Sequence, residues 1–272
     1  MKHLWPDKAQ CVVVLTFDVD GISGALNRNP DARKFPSLIS MREYGPDVAA
    51  PRILSLLNEY DIPASFYIPG YIAETHVSLV EDILKQGHEV AHHGYMHEPP
   101  ATLDPSEEEQ ILDHGTAILQ KISGEEPKGY RSPSWELSEH SLGLLASRGF
   151  LYDSSLMGND IPYVLEVNGK SLIELPIHWE LDDAPYFAYV PSEGRRIVQA
   201  SPEHVYEVWA SAFEGMYHYG RSFILTMHPW ISGRPGRLRM IERLIRYIRQ
   251  FPNVKFMRAV DLATHWSSHN LG

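Results

Sequence analysis

The sequence predicts an α/β chain whose parallel strands form a single barrel of about seven β/α units, incomplete or irregular, with an open doubly wound sheet as the alternative. Three observations predict it. Short β-branched runs alternate with helical periodicities along the chain. The first run, residues 11–17, is almost wholly apolar, as befits a strand covered on both faces. A length of 272 residues is enough for one large core. From the N-terminus, strands are expected at 11–17, 64–68, 88–92, 128–131, 150–152, 172–177, 222–227 and 254–257. Between them, 46–60 carries Ile53, Leu54, Leu56 and Leu57 on one helical side, and 75–86 is a helix closed by Gly87. Residues 105–123 form a helix with Glu107, Glu108 and Glu109 at its positive end and Gly124 past its last turn. Helix 138–148 stops before Gly149, and Ser201-Pro202 caps a helix that runs to about Tyr219. Helices 238–251 and 259–266 complete the alternation. Residues 21–45 and 153–172 read as long irregular loops, a common place for function. With no linker, repeat or low-complexity tract, 1–272 reads as a single domain.

Composition narrows the function. The formal charge of −11 argues against nucleic acid and against an anionic membrane surface as partners. The lone cysteine, Cys11, excludes an internal disulfide and a cysteine-based metal site. The first residues lack the apolar core of a secretory signal, and no apolar run approaches the ~20 residues of a membrane helix, so a cytoplasmic location is expected.

Four clusters carry the chemistry. Asp18 and Asp20 follow the first strand, and the alternation of an extended chain turns both carboxylates to one side. His88, His92, His93 and His97 fall within ten residues. Both His88/His92 and His93/His97 are four apart, a spacing that one helical turn would bring together on a metal. Spacing alone does not choose between them, but His93 and His97 lie past a strand's C-terminal end. Arg131 ends another strand, placed to hold a carboxylate ionised. His228 ends the 222–227 strand, where an imidazole suits a general acid. In a parallel barrel those strand ends share the face on which active sites sit.

These motifs resemble the polysaccharide deacetylase family (NodB homology, carbohydrate esterase family 4), in the branch of the Helicobacter-type peptidoglycan deacetylase, the cofactor-free allantoinases and the cyclic imide hydrolases. The residues that carry the resemblance are Thr16-Phe17-Asp18-Val19-Asp20-Gly21, His93-Gly94-Tyr95-Met96-His97, Arg131-Ser132-Pro133 and Leu225-Thr226-Met227-His228. The runs Tyr152-Asp153-Ser154-Ser155 and Glu174-Leu175-Pro176-Ile177-His178-Trp179 are similar to features of that branch. The resemblance implies a distorted (β/α)7 TIM-like barrel. It also implies one divalent metal on Asp20, His93 and His97, with Asp18 as general base, Arg131 orienting it and His228 as general acid. Zn2+ suits this ligand set, and so do Fe2+, Co2+ and Mn2+.

The implied reaction is hydrolysis of a non-peptide amide C–N bond. The expected substrate is a small molecule, a cyclic imide, amide or ureide; the alternative is N-deacetylation of a sugar or peptidoglycan fragment. Tyr95, Trp135, Trp179 and Pro133 are the expected substrate contacts, with Tyr163 and Trp230 as further aromatic candidates. Readings from other classes are a non-haem iron oxygenase, which shares the two-histidine, one-carboxylate set, and an inactive metal-binding protein. The branch also implies a homo-oligomer, with a tetramer as the expected form.

Overall fold

The computed structural model describes residues 4–196 and 198–270. Its elements are β1 Cys11–Asp18, α1 Ser23–Arg28, α2 Pro36–Tyr44, α3 Ala50–Glu59, β2 Ala64–Ile68, α4 Gly70–Thr75, α5 Val77–Lys85, β3 Glu89–His92, α6 Pro105–Ser123, β4 Gly129–Tyr130, α7 Ser141–Ser147 and β5 Tyr152–Asp153. The chain continues through β6 Tyr163–Val167, β7 Lys170–Glu174, α8 Ala184–Phe187, β8 Tyr189–Val190, β9 Arg195–Arg196, α9 Pro202–Tyr219, β10 Ser222–Met227, α10 Pro229–Ser232, α11 Pro235–Ile248, β11 Val254–Phe256 and α12 Ala259–Asn270.

The main sheet runs β10-β1-β2-β3-β4-β5-β7-β6, with β11 also paired to β1. Every neighbour pair in it is parallel except β6–β7, a hairpin that returns along the sheet's last edge. Seven parallel strands thus curl through the sequence β10, β1, β2, β3, β4, β5, β7, as the polysaccharide deacetylase-type barrel predicts. No ladder joins β7 to β10. The gap is crossed by the chain after β7, through a bridge between Asp182 and Thr226 in which Asp183 N–H donates to the Thr226 carbonyl at 3.2 Å.

All eight residues of β1 are buried, and their parity sorts them. Val13, Leu15 and Phe17 join the core shared with α3, α5, α9 and α11, through Ile53, Val80, Trp209 and Leu244. Val12 and Val14 face the barrel interior with Tyr67, Tyr152 and Ile173, where Leu262, Ala263 and Trp266 of α12 complete the packing. Asp18 shares the parity of Val12 and Val14, which turns it inward. The short β4 and β5 are held inside by side chains: the Tyr67 and Tyr152 hydroxyls are 3.0 Å apart, and Tyr152 donates to Glu89 at 2.8 Å.

Several elements differ from the sequence expectation. Residues 21–45 are not an irregular loop: they hold α1, a 3-10 turn at Pro30–Lys34, and α2, which leads through a π turn at Gly45–Ala49 into α3. Residues 153–172 hold the β6–β7 hairpin, turned by Asn168 (φ +52°) and Gly169 (φ +74°). Both residues of that turn need the left-handed backbone that Asn-Gly supplies. The expected helix 75–86 is α5, which begins after a break at His76, and a further helix, α4, precedes it.

Packing beside Tyr152 generates a stability prediction. A Cβ at Gly129 would lie 2.0 Å from the Tyr152 ring, so Gly129→Ala is expected to cost about 1–3 kcal/mol. Gly215, in the middle of α9, has nothing within 4 Å of that position, so Gly215→Ala is expected to gain about 0.5–1 kcal/mol. Opposite shifts of melting temperature check the pair.

Candidate metal and acid–base centre

The ends of β1, β3, β4 and β10 bring the predicted residues together. Past β1, Val19 N–H donates to the Tyr67 carbonyl at 2.9 Å, extending the strand-like path, and Asp18 and Asp20 end on the same side. Asp20 Oδ1 lies 3.6 Å from His93 Nε2 and 3.6 Å from His97 Nε2. Among the described residues these three offer ligand atoms within 4.8 Å of one another, and all three are buried. Asp20 Oδ1 has no hydrogen-bond partner although it is buried. A buried orphan carboxylate oxygen beside two imidazole nitrogens fits a divalent cation.

The histidine pair is not carried on a helical turn, as the four-residue spacing suggested. His93 and His97 sit on a tight loop with left-handed backbone at Gly94 (φ +73°) and at His97 itself (φ +60°). The Glu98 carboxylate holds that loop by accepting from Tyr95 N–H at 3.0 Å and Met96 N–H at 2.8 Å. His93 Nδ1 donates to the Arg131 carbonyl at 2.8 Å, which leaves Nε2 with its lone pair toward Asp20. Burial pushes the His97 imidazole down to about 4, so it is neutral near pH 7. Burial opposes ionisation of Asp20 too, but His97, His93 and His228 around it hold its carboxyl below the usual range.

The other two histidines of the cluster serve the fold. His92 Nε2 donates to the Leu112 carbonyl at 3.1 Å while Nδ1 accepts from Gly94 N–H, and burial lowers it to about 3. His88 Nδ1 accepts from Ala64 N–H at 3.2 Å.

Arg131 has no exposed surface. Its Nη1 donates to Asp18 Oδ1 at 2.8 Å and to the Thr16 hydroxyl at 2.9 Å. Its Nε and Nη2 donate to the Ser154 carbonyl and hydroxyl, and its guanidinium lies 4.0 Å above the Tyr67 ring. Asp18 Oδ2 is left facing His93 Nε2 at 4.0 Å. Behind Ser154, the Ser155 hydroxyl donates to Asp153, and its N–H donates to Glu174. Burial raises both carboxyls, Glu174 further because Asp153 lies beside it.

His228 Nε2 is 3.8 Å from Asp20 Oδ2, and its Nδ1 is 2.7 Å from Asp183 Oδ1. Asp183 also accepts from His228 N–H at 2.8 Å and from the Ser232 hydroxyl at 2.5 Å. Burial alone would lower the His228 imidazole; Asp183 and Asp182 outweigh it and raise it well above its ordinary value. Burial also lifts Asp182 to about 7. The sequence reading missed both aspartates, although Asp182-Asp183 is a visible acidic doublet in an apolar stretch.

Asp18, Asp20, His93, His97, Asp182 and His228 line a cavity of about 90 Å3, together with Arg28, Arg42, Ser134, Trp135 and Trp179. Trp135 and Trp179 stack with ring centroids 4.2 Å apart. Trp135 is buried, whereas Trp179 is 46% exposed. Two expected contacts are misplaced. Tyr95 stacks on His114 and donates to Glu74 outside the cavity, because the loop that aims His93 and His97 inward turns Tyr95 away. Pro133 packs toward Gly94. Tyr163 and Trp230 do not line the cavity either. A larger cleft of about 500 Å3 lies beyond the Trp179–Leu181 turn and holds none of the predicted catalytic residues.

The polysaccharide deacetylase family pattern matches residues 7–152. Peptidoglycan deacetylase of Helicobacter pylori is 30% identical over 288 aligned positions, covering 96% of this chain and 98% of its own length. A solved Mycobacterium smegmatis protein, whose polysaccharide deacetylase assignment is itself provisional, matches with a TM-score of 0.95 and 38% identity, over 98% of this chain and 94% of that one. Puue allantoinase has the same fold, with a TM-score of 0.85 and 24% identity over 98% and 93% of the two chains.

Two predictions follow from the geometry. Asp20→Asn and His97→Ala are each expected to weaken divalent-cation binding, read by calorimetry, by more than the roughly 10–100-fold that loss of an outer partner costs. Asp183→Asn removes the carboxylate that raises His228, so the alkaline limb of the kcat/KM profile is expected to move to lower pH.

Proposed function

Because the chain belongs to the polysaccharide deacetylase family, we propose that it is a metal-dependent hydrolase of an amide C–N bond whose substrate is an N-acetylated amino sugar or peptidoglycan fragment. The convergence of Asp18–Arg131, Asp20–His93–His97 and His228–Asp183 on one cavity carries the reaction class. The acetyl substrate is supported by the name and near full-length alignment of the Helicobacter pylori relative. This reverses the order expected from sequence, which put a small cyclic amide first.

Each side chain has a task in this reading. A divalent cation on Asp20, His93 and His97 would supply acidity to a water molecule and an electrophilic contact to the amide oxygen. Arg131 holds Asp18 by Oδ1, which leaves Oδ2 to accept the proton of the attacking water. Asp183 anchors Nδ1 of His228, and the imidazolium Nε2 donates its proton to the departing nitrogen. The Trp135–Trp179 stack and the helices of residues 21–45 restrict water around the reacting bond.

One observation favours a second reading. A cavity of about 90 Å3 with a stacked aromatic pair suits a small flat ring, so a cyclic imide or ureide remains a competing substrate. The deciding experiment compares N-acetylglucosamine oligomers with succinimide, hydantoin and allantoin on metal-loaded protein. Release of acetate from the glycans supports the first reading, and ring opening alone supports the second. Asp18→Asn and His228→Ala are each expected to lower kcat by about 100- to 10,000-fold on whichever substrate is turned over. Unchanged turnover in both variants would overturn these roles.

A further inference from the structure

Behind Arg131 the fold buries two carboxyls together. Asp153 ends β5 and Glu174 ends β7, and the parallel ladder makes them register partners. Neither has any exposed surface. Each commits one oxygen to the same residue, Ser155. Asp153 Oδ1 accepts from the Ser155 hydroxyl at 2.8 Å, and Glu174 Oε1 accepts from Ser155 N–H at 3.1 Å and from Leu156 N–H at 2.9 Å. The other two oxygens, Asp153 Oδ2 and Glu174 Oε2, are buried without a hydrogen-bond partner. The two carboxyls nevertheless lie within hydrogen-bonding reach of each other. Buried acceptors are satisfied as a rule, and a carboxyl hydrogen is a donor that serves both orphans at once.

The engaged oxygens leave that hydrogen one place. Glu174 Oε1 meets two backbone N–H groups, so it stays an acceptor. Ser155 Oγ accepts from Ser132 N–H at 2.9 Å, which directs its own hydrogen to Asp153 Oδ1. The surroundings do not offset two negative charges. Tyr130 of β4 and Tyr163 of β6 are the titratable neighbours; burial pushes both phenols up, Tyr163 to about 12, so both are neutral. Arg131, the cation beyond Ser154, is paired with Asp18. Two adjacent carboxyls in such a dry interior do not both ionise. We propose that Asp153 and Glu174 share a single proton, held between Oδ2 and Oε2, as the clamp that joins β5 to β7. Ladder pairing between these strands spans only two residue pairs. The clamp bears on the catalytic face through Ser154, whose carbonyl and hydroxyl accept from Arg131. It goes beyond the hydrolase reading and is tested apart from it, because no substrate enters the experiment.

Isosteric amides test it on the full-length protein. Glu174→Gln keeps an acceptor for the two backbone N–H groups and turns an amide N–H toward Asp153, as the shared proton does. Asp153→Asn does the same from the other side. Each is expected to keep the melting temperature at about pH 6 within about 4 °C of the wild type. The double variant sets two amide NH2 groups against each other and is expected to melt lower than the two single shifts add up to. A carboxyl raised by folding contributes its stability in full below the ordinary carboxyl range and loses it as pH climbs toward the folded value. The wild type is therefore expected to fall progressively below Glu174→Gln between about pH 5 and about pH 9. Infrared difference spectra at about pH 7 are expected to show one protonated-carboxyl band lost in each single variant, the same band in both. No lost band means two anions and overturns the shared proton, as does a gap between wild type and Glu174→Gln that stays constant with pH. Two distinct bands, or a double variant that melts as the singles add up, mean two separate protons and overturn it too. Failure of both single variants to fold also overturns it, because a shared proton makes each amide a faithful substitute.

Discussion

A guanidinium sealed inside the barrel is the constraint around which the catalytic face is built. Arg131 has no exposed surface, and an unpaired charge there would cost several kcal/mol. Its demand for partners ties the end of its own strand, β4, to three others. Asp18 and Thr16 answer it from β1, Ser154 from the end of β5, and the Tyr67 ring from β2. The same residue offers its backbone carbonyl to His93 beyond β3, choosing which imidazole nitrogen faces Asp20. The orientation of the candidate base and that of a candidate ligand are thus set by one residue. Two short strands, β4 and β5, could not hold such precision by ladder hydrogen bonds alone. The buried Tyr67–Tyr152–Glu89 chain and the Asp153–Glu174 pair supply the rest.

Much of this was legible in the sequence because the signals are periodic or local. The unbroken apolar run of β1, the Gly124 stop of α6 and the Ser201-Pro202 start of α9 each report one physical rule. Asp18, Asp20, His93, His97, Arg131 and His228 were legible because parallel strands deliver their C-terminal ends to one face, and the structure does bring them together. Asn168-Gly169 is an equally local signal, a hairpin turn inside the stretch expected to be a loop. The helices of residues 21–45 were harder to see. Their hydrophobic pattern is weak because only a few small or aliphatic residues, Ile22, Ala25, Leu26, Ala32 and Leu38, join the main core, while Gly24, Arg28 and Arg42 face the cavity.

What spacing could not supply was the company each residue keeps. His92 and His93 are neighbours in sequence, yet one is committed to Leu112 and Gly94 and the other to the centre. Tyr95 sits between two candidate ligands and still points away, because the loop that aims the imidazoles is bent at Gly94 and His97. Asp182 and Asp183 matter only through contacts that close a gap in the sheet, and a gap has no local signature. The union of Arg28, Arg42 and Glu193 spans 165 positions and three separate elements, beyond the reach of any motif.

The place where β7 and β10 fail to pair divides the support of the site between two parts of the fold. The candidate base and the candidate ligands are rooted on strands or loops that the barrel needs for its integrity. Asp182, Asp183 and Trp179 are borne instead on a connector that stands in for a missing ladder, attached to β10 by a single bridge. Changes in that connector would reach the wall of the cavity and the surroundings of His228 through side-chain contacts, not through the strand registers. The candidate ligands and the partner of the candidate acid are thus carried by separately built parts of the fold, the first by paired strands and their loops, the second by a buried connector anchored through Asp183.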